Sequence, residues 1–297
     1  MTDRRAAISI SASAGRRRSV LDLVGQVEDR GLDVYSTFHG DVMGFCTSLC
    51  HLTSSISFGS CIQPIYARPA AELARSASYI AELSEGRFRL GLGVSQPPIL
   101  KQLGVKAGKP IGDMRAYVSE LKSAIGGAAC PPIILAALRT KMLTLATEIA
   151  DGAVSANAAR SHMPKTLASV ARPDGFTMAT MIPTVVDADK DAARAVHRRT
   201  LTRYLTFATY RAYWKEAGYA DEMFAVESAL AAGNTDSLQS LMTDAWLDDC
   251  TLSGSPEEIR EGVDAWFATG VDLPILAPSS TSGGQAKAVI ELLAVFD

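Results

Sequence analysis

The stretch Glu85-Gly86-Arg87-Phe88-Arg89-Leu90-Gly91-Leu92-Gly93-Val94-Ser95 decides how the rest of this sequence is interpreted. From Phe88 onward its apolar residues alternate with arginine, glycine and serine, which is the period-two pattern of a β-strand. Glycine is rare inside strands unless another backbone or a ligand must come close. Gly91 and Gly93 therefore indicate either close packing inside a barrel or a ligand lying against this strand.

The composition is that of an ordinary globular domain. The chain has 297 residues, of which 47% are hydrophobic and 21% are charged, enough to bury a large core in one α/β barrel or two smaller domains. The net charge of −3 gives no sign of nucleic-acid binding. No apolar run reaches the ~20 residues of a membrane span, and the apolar part of the N-terminus is too short for a secretory signal. Arg16–Arg18 is interpreted as a solvated corner.

The cysteines indicate the compartment rather than a site. Five cysteines are an odd number without the spacing of a disulfide framework, which favours a reducing cytoplasm. Cys46, Cys50 and His51 fall near one helical face, but no second pair of ligands lies nearby in the sequence. We therefore interpret the two cysteines as buried thiols and predict no metal centre.

Eight strand-like apolar runs organise the chain. They begin near Ile8, Leu32, Ser55, Phe88, Pro132, Gly152, Phe176 and Val271. Most alternate with helical patterns, which indicates βαβ units and a parallel sheet. The prediction is an α/β fold, a (β/α)8 TIM barrel formed by residues 1–297 as a single domain. An open doubly wound sheet is the alternative, disfavoured because no Gly-x-Gly-x-x-Gly follows the first strand.

Two helices support this count. Pro69–Ser84 has one apolar stripe and a proline in its first turn. Ser255-Pro256-Glu257-Glu258 combines a serine cap, a proline at the first helical position and a glutamate three residues after the cap. The helix that begins there should end at Gly270 and lead into the last strand, Val271–Ala277.

A long gap separates the seventh and eighth strand starts. Asp187–Phe207 and Thr209–Leu247 predict helices, with Trp214, Phe224 and Leu241 as apolar anchors. We interpret residues 187–247 as a helical insertion before the last strand. Such insertions usually cover the C-terminal mouth of a barrel, where the active site lies. The alternative is a packing or dimer element, and we expect a homodimer.

Four stretches, in order, resemble luciferase-like flavin and deazaflavin oxidoreductases. The opening stretch, with Ala81-Glu82-Leu83-Ser84 before it, is similar to the fourth-strand signature of that family. The other three are Lys109-Pro110 with the helix to Ile125, the run Pro131–Ala156, and Gly254-Ser255-Pro256-Glu257-Glu258 with Ala268–Asp272. The nearest resemblance is to the branch that uses the 5-deazaflavin coenzyme F420, as in the methylene-tetrahydromethanopterin reductase-like enzymes.

The resemblance implies where the coenzyme binds. Backbone at the ends of the third and fourth strands would lie against its ring: Ser60, Cys61 and Ile62, and Gly93, Val94 and Ser95. Relatives often have a cis peptide at the position of Cys61–Ile62. The segment that contains Asn157 and Ala158 would line the coenzyme's side chain. Arg139, Thr140 and Lys141 open a helix whose free N–H groups and two cations would meet an anionic tail; surface solvation is the alternative for the two cations.

His39 is the candidate catalytic residue, and the resemblance also places it against the coenzyme. It alone among the four histidines falls at a strand end, where an imidazole can donate a hydrogen bond or exchange a proton. The alternative is a histidine that only shapes the rim. Relatives usually carry an acidic residue directly before it; here that residue is Phe38, and the nearest carboxylate is Asp41. Arg139-Thr140 also replaces a common Gly-Pro.

The function implied is an oxidoreductase that transfers a hydride between coenzyme F420 and an organic small-molecule substrate, whose identity the sequence does not give. One alternative is an FMN-dependent luciferase-like monooxygenase on the same barrel. The other is a non-catalytic paralogue that binds a ligand or a partner, which the loss of the acidic residue before His39 favours.

Overall fold

The computed structural model describes residues 5–37 and 40–297. Contacts within the chain divide it into two compact units. The first unit comprises the described residues up to Ser155 together with Val170–Ala179, and the second comprises Ala156–Ser169 and Thr180–Asp297.

The first unit is built on parallel strands that alternate with helices. Its strands are β1 (Ala7–Ile10), β2 (Asp33–Thr37), β3 (Phe58–Cys61), β4 (Gln63–Pro64), β5 (Phe88–Gly93), β6 (Ile133–Ala136) and β7 (Gly152–Ala156, whose last residue falls in the second unit). Its helices are α1 (Arg17–Leu21), α2 (Val24–Asp29), α3 (Val42–Leu52), α4 (Ala70–Leu83), α5 (Pro97–Gln102), α6 (Pro110–Ile125) and α7 (Thr140–Ile149). The strands lie in the order β1, β2, β3, β5, β6, β7, and β4 pairs with β5.

Parallel register aligns the carboxyl ends of these strands. Thr37 pairs with Cys61 across β2 and β3, and Pro64 pairs with Gly93 across β4 and β5. The apolar residues of β5 predicted to share one face are fully buried, and the ring of Phe88 lies 5.9 Å from that of Phe58. The period-two pattern of this strand thus places its apolar residues in the core.

Helix α4 confirms the stripe predicted for Pro69–Ser84, with two differences. Pro69 is the N-cap rather than the first helical residue. Leu83, the last apolar residue of the predicted stripe, was expected to be buried but is 36% exposed. Leu83 is the last residue of the helix.

The second unit carries the remaining strands and the predicted insertion. Its strands are β8 (Thr177–Val186, whose first three residues fall in the first unit), β9 (Leu252–Gly254) and β10 (Leu273–Ser279). Its helices are α8 (Met163–Ala168), α9 (Lys190–Leu205), α10 (Ala208–Glu216), α11 (Ala220–Ala231), α12 (Asp244–Cys250), α13 (Pro256–Ala268) and α14 (Gln285–Leu293). Short 3-10 turns cover Arg160–His162, Asp236–Leu241 and Ala294–Phe296. Strand β8 pairs in parallel with β9 and also pairs with β10.

The helices of the insertion differ in detail from the prediction. The predicted helix Thr209–Leu247 is divided into several shorter helices. Gly218 follows α10 and Gly233 follows α11, both with positive φ, and glycine in this conformation commonly ends a helix. Trp214 is a buried anchor as predicted, whereas Phe224 is 56% exposed and Leu241 is half-buried. The prediction for Phe224 was wrong: its ring lies beneath the Lys215 ammonium, 4.1 Å away, at the surface.

The capping box at Ser255 is confirmed. The Ser255 hydroxyl accepts a hydrogen bond from the Glu258 N–H, and the Glu258 carboxylate accepts one from the Ser255 N–H. Helix α13 ends at Ala268, before Gly270 with φ 93°, and β10 follows.

The predicted fold class is confirmed: the chain is an α/β protein with the (β/α)8 TIM-barrel fold and a helical insertion before the last strand. The eight predicted strands correspond to β1, β2, β3, β5, β6, β7, β8 and β10. Strands β4 and β9 were not predicted because two or three residues are too few to show a period. Among the described residues, none of the helices has the length and apolarity needed to cross a membrane.

Candidate active site

The ends of β3 and β5 are joined through Ser60 in the first unit. Its hydroxyl donates to the Gly91 carbonyl oxygen and accepts from the Gly91 N–H, both at 2.8 Å. Ser60 is buried, so both bonds are shielded from water. This side chain fixes the spacing of the two strands at the end where the sequence predicted the ring-binding backbone.

Both glycines of β5 allow a close approach, Gly91 by β3 and Gly93 by the residue that follows β3. A Cβ on Gly91 would lie 2.0 Å from the Ser60 carbonyl oxygen, and one on Gly93 would lie 2.6 Å from Ile62 Cδ1. Of the two interpretations of these glycines, this geometry is the one expected from close packing. Gly93 thereby makes room for the Ile62 side chain. The peptide bond between Cys61 and Ile62 is cis, as predicted.

Cys61 is an inert thiol in this setting. It is buried, and burial raises the pKa of its thiol to about 12. The thiolate is the nucleophilic form of cysteine, and it is scarce at neutral pH. Cys61 therefore contributes shape rather than reactivity.

Ser95 has an uncommon backbone conformation two residues beyond β5. Its φ is 61°, a left-handed value rare for a residue with a side chain. Val94 and Ser95 are both half-buried, and the chain then turns into α5 at Pro97. Such conformations cost energy and persist only where the surrounding structure enforces them, and they cluster at ligand sites.

Three residues separate the end of β6 from the start of helix α7. Arg139 is its N-cap and makes no side-chain capping bond, and Arg139, Thr140 and Lys141 are exposed. The first N–H groups of a helix have no partner within it, and the N-terminus attracts anions. The positions predicted for an anionic tail therefore have suitable chemistry.

Asn157, in the second unit, combines a left-handed backbone conformation with a buried side chain. It follows β7 with φ 55° and is buried. Its main-chain N–H donates to the Met181 carbonyl oxygen at 3.1 Å, and its carbonyl oxygen accepts from Trp214 Nε1 at 3.1 Å. Its side-chain Nδ2 has no hydrogen-bond partner within residues 5–37 and 40–297. A buried unmatched donor costs about 1–3 kcal/mol, so this amide indicates a place where a ligand supplies the acceptor. Ala158, the next predicted residue, is also buried.

Sequence reasoning missed the side chains that hold this segment. The Ala159 N–H donates to the Tyr213 hydroxyl oxygen at 3.1 Å. The Ser161 N–H and hydroxyl donate to the two carboxylate oxygens of Asp249, at 2.8 and 2.7 Å. Trp214 was predicted only as an apolar anchor, and nothing in the sequence periodicity marks its indole N–H as a donor.

The candidate catalytic His39 and its neighbour Phe38 lie outside the described residues. Just before them, the Thr37 hydroxyl is hydrogen-bonded to the Ser11 hydroxyl. Just after them, the Asp41 side chain caps α3 by accepting a hydrogen bond from the Gly44 N–H at 3.1 Å. Asp41 thus has a structural role of its own. No group of three potential ligands that could hold a metal occurs in the part of the chain that the structure describes.

Ser95, after β5 in the first unit, and Asn157, after β7 in the second, each have a left-handed φ, and such conformations cluster at ligand sites. In TIM-barrel enzymes ligand sites lie at the carboxyl ends of the strands. The model of the luciferase-like monooxygenase family matches residues 3–273. The chain belongs to that family.

Individual relatives are more distant. The chain is 25% identical to a 5,10-methylenetetrahydromethanopterin reductase of Archaeoglobus fulgidus over 90% of each sequence. Its fold is similar to that of a coenzyme F420 dependent tetrahydromethanopterin reductase from Methanopyrus kandleri, with TM-score 0.78, 15% identity and 99% and 98% of the two chains covered. It is also similar to the oxygenating constituent of 3,6-diketocamphane monooxygenase of Pseudomonas putida, solved with FMN, at TM-score 0.63, 14% identity and 98% and 96% coverage.

Proposed function

We propose that this protein is an oxidoreductase that binds coenzyme F420 and transfers a hydride between it and an organic small-molecule substrate. Family membership and the reductases to which the chain is similar support this assignment. The observation that carries it is the buried carboxamide of Asn157, which presents an unmatched donor at the carboxyl end of β7.

The residues present suit such a coenzyme. Its deazaflavin ring is flat and carries hydrogen-bonding groups at its edge, so it binds where backbone and a few fixed polar groups meet apolar walls. In the first unit we assign the ring contacts to Ser60, Cys61, Ile62, Gly93, Val94 and Ser95. In the second unit we assign contacts with the coenzyme's side chain to Asn157 and Ala158, with Asn157 Nδ2 as a donor.

The anionic tail of the coenzyme is assigned to the start of α7. Arg139 and Lys141 supply positive charge, and the N–H groups of the first turn, which Thr140 opens, supply donors. Because all three residues are exposed, this contribution should weaken as salt screens the charges.

When bound, the deazaflavin supplies the hydride chemistry, and the protein supplies binding, orientation and electrostatics. We propose that His39 touches the reacting centre and donates a hydrogen bond or proton to the substrate atom that gains negative charge. The exclusion of water would fall to the apolar side chains around the ring, such as Ile62.

Two specific observations favour other functions. The fold is also that of a monooxygenase solved with FMN, so an FMN-dependent monooxygenase is the second candidate. Phe38 stands where, by the resemblance, relatives usually carry an acidic residue before the histidine, which favours a non-catalytic paralogue. The three functions differ in which cofactor binds and in whether turnover follows.

The deciding experiment titrates purified protein with F420 and with FMN, followed by fluorescence, at low and high salt. We expect saturable F420 binding that weakens as salt rises, and an increase of about tenfold in Kd for Asn157→Ala, the effect of one lost hydrogen bond. Asn234→Ala, at the exposed Asn234, is the matched control. Tighter binding of FMN would favour the monooxygenase, and binding of neither cofactor would contradict the proposal.

We further propose that the chain forms a homodimer. Three large apolar side chains are exposed on α3 and α4: Leu52, Tyr79 and Leu83. The two helices pack together, with Cys50 Sγ 3.9 Å from the Ile80 carbonyl oxygen. A second copy of the chain would cover these side chains.

We assign the protein to the cytoplasm. All five cysteines are free thiols, and Cys46, Cys61 and Cys250 are buried; a reducing compartment keeps thiols in this form. Fractionation of the native cells with a tagged chain tests this assignment.

A further inference from the structure

The helical insertion holds the backbone that follows β7. We call residues Asn157–Ser161 the post-β7 segment. Every second residue of it is hydrogen-bonded to α10 or α12: Asn157 to Trp214, Ala159 to Tyr213, and Ser161 to Asp249. The first two bonds are buried and 3.1 Å long. The insertion thus holds this segment at three points, the last of them in the 3-10 turn that contains Ser161.

The two aromatic side chains of α10 are themselves fixed. Tyr213 and Trp214 are buried, and Trp214 packs edge-on against Trp246 with ring centroids 4.8 Å apart. The ring of His162 packs edge-on against Tyr213 at 5.9 Å. A side chain packed in this way has little freedom to follow a moving backbone, so its hydrogen bond holds the segment in one place.

These hydrogen bonds fix the backbone of Asn157. Both of its main-chain polar atoms are fixed, the N–H by Met181 and the carbonyl oxygen by Trp214, and its φ is left-handed. With the backbone held, the direction of the Cα–Cβ bond is held too. Because the side chain is also buried, packing restricts rotation about its χ1 and χ2, and the unmatched Nδ2 is oriented before any ligand arrives. Such preorganisation lowers the ordering cost of binding.

We propose that Tyr213 and Trp214 are positioning residues that preset the Asn157 carboxamide for the coenzyme, so that the insertion determines coenzyme affinity. This inference rests on the proposed function. Neither residue touches the coenzyme in this account; both act through the post-β7 segment.

Conservative substitutions separate positioning from packing. Trp214→Phe removes the N–H that binds the Asn157 carbonyl oxygen, and Tyr213→Phe removes the hydroxyl that accepts from Ala159, while both keep an aromatic ring. Trp246→Phe is the matched control, because it deletes an indole from the same cluster and the Trp246 N–H has no partner among the described residues. Tyr117→Phe is the second control, because its hydroxyl donates to the Arg68 carbonyl oxygen and not to the segment or to Asp249.

We expect the Kd for F420 to rise about tenfold in Trp214→Phe and Tyr213→Phe and to stay within twofold in both controls. In an Asn157→Ala background the effect of Trp214→Phe should vanish, because residues that act through one another are not additive. A Kd that follows the melting temperature across all four variants, or an undiminished effect in the Asn157→Ala background, would overturn the proposal.

Hydrogen–deuterium exchange of the protein without coenzyme tests whether Tyr213 and Trp214 hold the segment, and it does not depend on coenzyme binding. The amides of the post-β7 segment should exchange at least tenfold faster in Trp214→Phe and Tyr213→Phe, and at the unchanged rate in Trp246→Phe. If wild type binds neither cofactor, the proposed function fails while this measurement still reports on the segment. Unchanged exchange in both variants would show that the insertion does not hold it.

Discussion

Asn157 and His197 each bury a nitrogen that has no partner within the described residues, yet they differ in what this implies. Asn157 cannot ionise, so its unmatched donor is a constant cost that a ligand can relieve. His197 can change its charge. It is buried in α9, its Nε2 lies 3.1 Å from the Leu252 carbonyl oxygen, and desolvation by burial lowers its pKa from 6.5 to about 4. Its environment therefore selects the neutral ring, with the proton on Nε2.

This lowered pKa predicts acid sensitivity. Between pH 6.5 and about 4 the unfolded chain binds a proton at His197 that the folded chain does not, so the free energy of unfolding falls as the pH falls through this window. The loss should approach about 3 kcal/mol. His197→Gln keeps a donor for the Leu252 carbonyl oxygen but cannot titrate, so its stability should depend less on pH. Urea unfolding from pH 7 to about 4 measures the difference.

A matched control and an opposing group sharpen that test. His51→Gln makes the same substitution at an exposed histidine and shows what the substitution does by itself. Burial raises the pKa of Asp33 to about 6, so this carboxyl favours the folded state as the pH falls from about 6. That contribution is common to all three proteins and cancels in the comparison. If wild type and His197→Gln show parallel curves, His197 does not titrate on unfolding.

His39 is the residue on which proposed catalysis depends. Changing His39 to Ala should lower kcat by about 100-fold or more, the usual contribution of general acid–base catalysis. Coenzyme Kd should stay within a few-fold, because the ring contacts proposed above are mainly with backbone. Stopped-flow reduction of F420 with a working substrate measures kcat. Full turnover in this variant would remove His39 from the mechanism.

At the scale of elements, the two glycines of β5 leave space for the neighbouring chain. The space beside Gly91 is closed by a main-chain carbonyl oxygen, and that beside Gly93 by the flexible Ile62 side chain. A backbone atom cannot rotate away, whereas a side-chain tip can. The two glycines therefore differ in what a methyl group would do.

Gly91→Ala should be the more destabilising change, by more than about 3 kcal/mol, and Gly93→Ala should cost about 1–3 kcal/mol, as overpacking usually does. Ile62→Val, which removes Cδ1, should recover part of the loss in Gly93→Ala and none in Gly91→Ala. Gly112→Ala in α6, where a Cβ would meet nothing within 4 Å, should be neutral or stabilising. Denaturant unfolding of the single variants and of the two double variants with Ile62→Val gives these values; equal losses at Gly91 and Gly93 would contradict this expectation.

At the scale of the whole molecule, the exposed apolar residues of α3 and α4 predict self-association. Light scattering should give twice the chain mass of 31.5 kDa, because an exposed apolar surface is stabilised by a second copy. Tyr79→Glu should reduce the mass to that of one chain, since a charge would be buried in the interface. Phe224→Glu, at another exposed aromatic residue, should leave it unchanged. A monomeric wild type at micromolar concentration would refute the dimer.

The sequence predicts local structure wherever a pattern repeats. The alternation in Phe88–Gly93, the stripe of α4 and the capping box at Ser255 each follow from the pitch of a strand or helix and from bonds between residues a few positions apart. Eight such strands in alternation with helices leave few ways to bury every apolar face. The barrel fold was therefore predictable, and the resemblance to a family of known chemistry pointed to the ends of its strands.

The site itself depends on contacts that no period encodes. Trp214 is hydrogen-bonded to Asn157, 57 residues away in the sequence, and Tyr213 to Ala159, 54 residues away. From the sequence, Trp214 was predicted only as an apolar anchor, and the prediction that Phe224 is another was wrong. Whether a polar atom finds a partner is decided when distant segments pack, because hydrogen bonds require a distance and an angle that only the folded chain sets. Local patterns thus determined the elements and the fold, and the tertiary structure alone decided that the Asn157 carboxamide is buried without a partner.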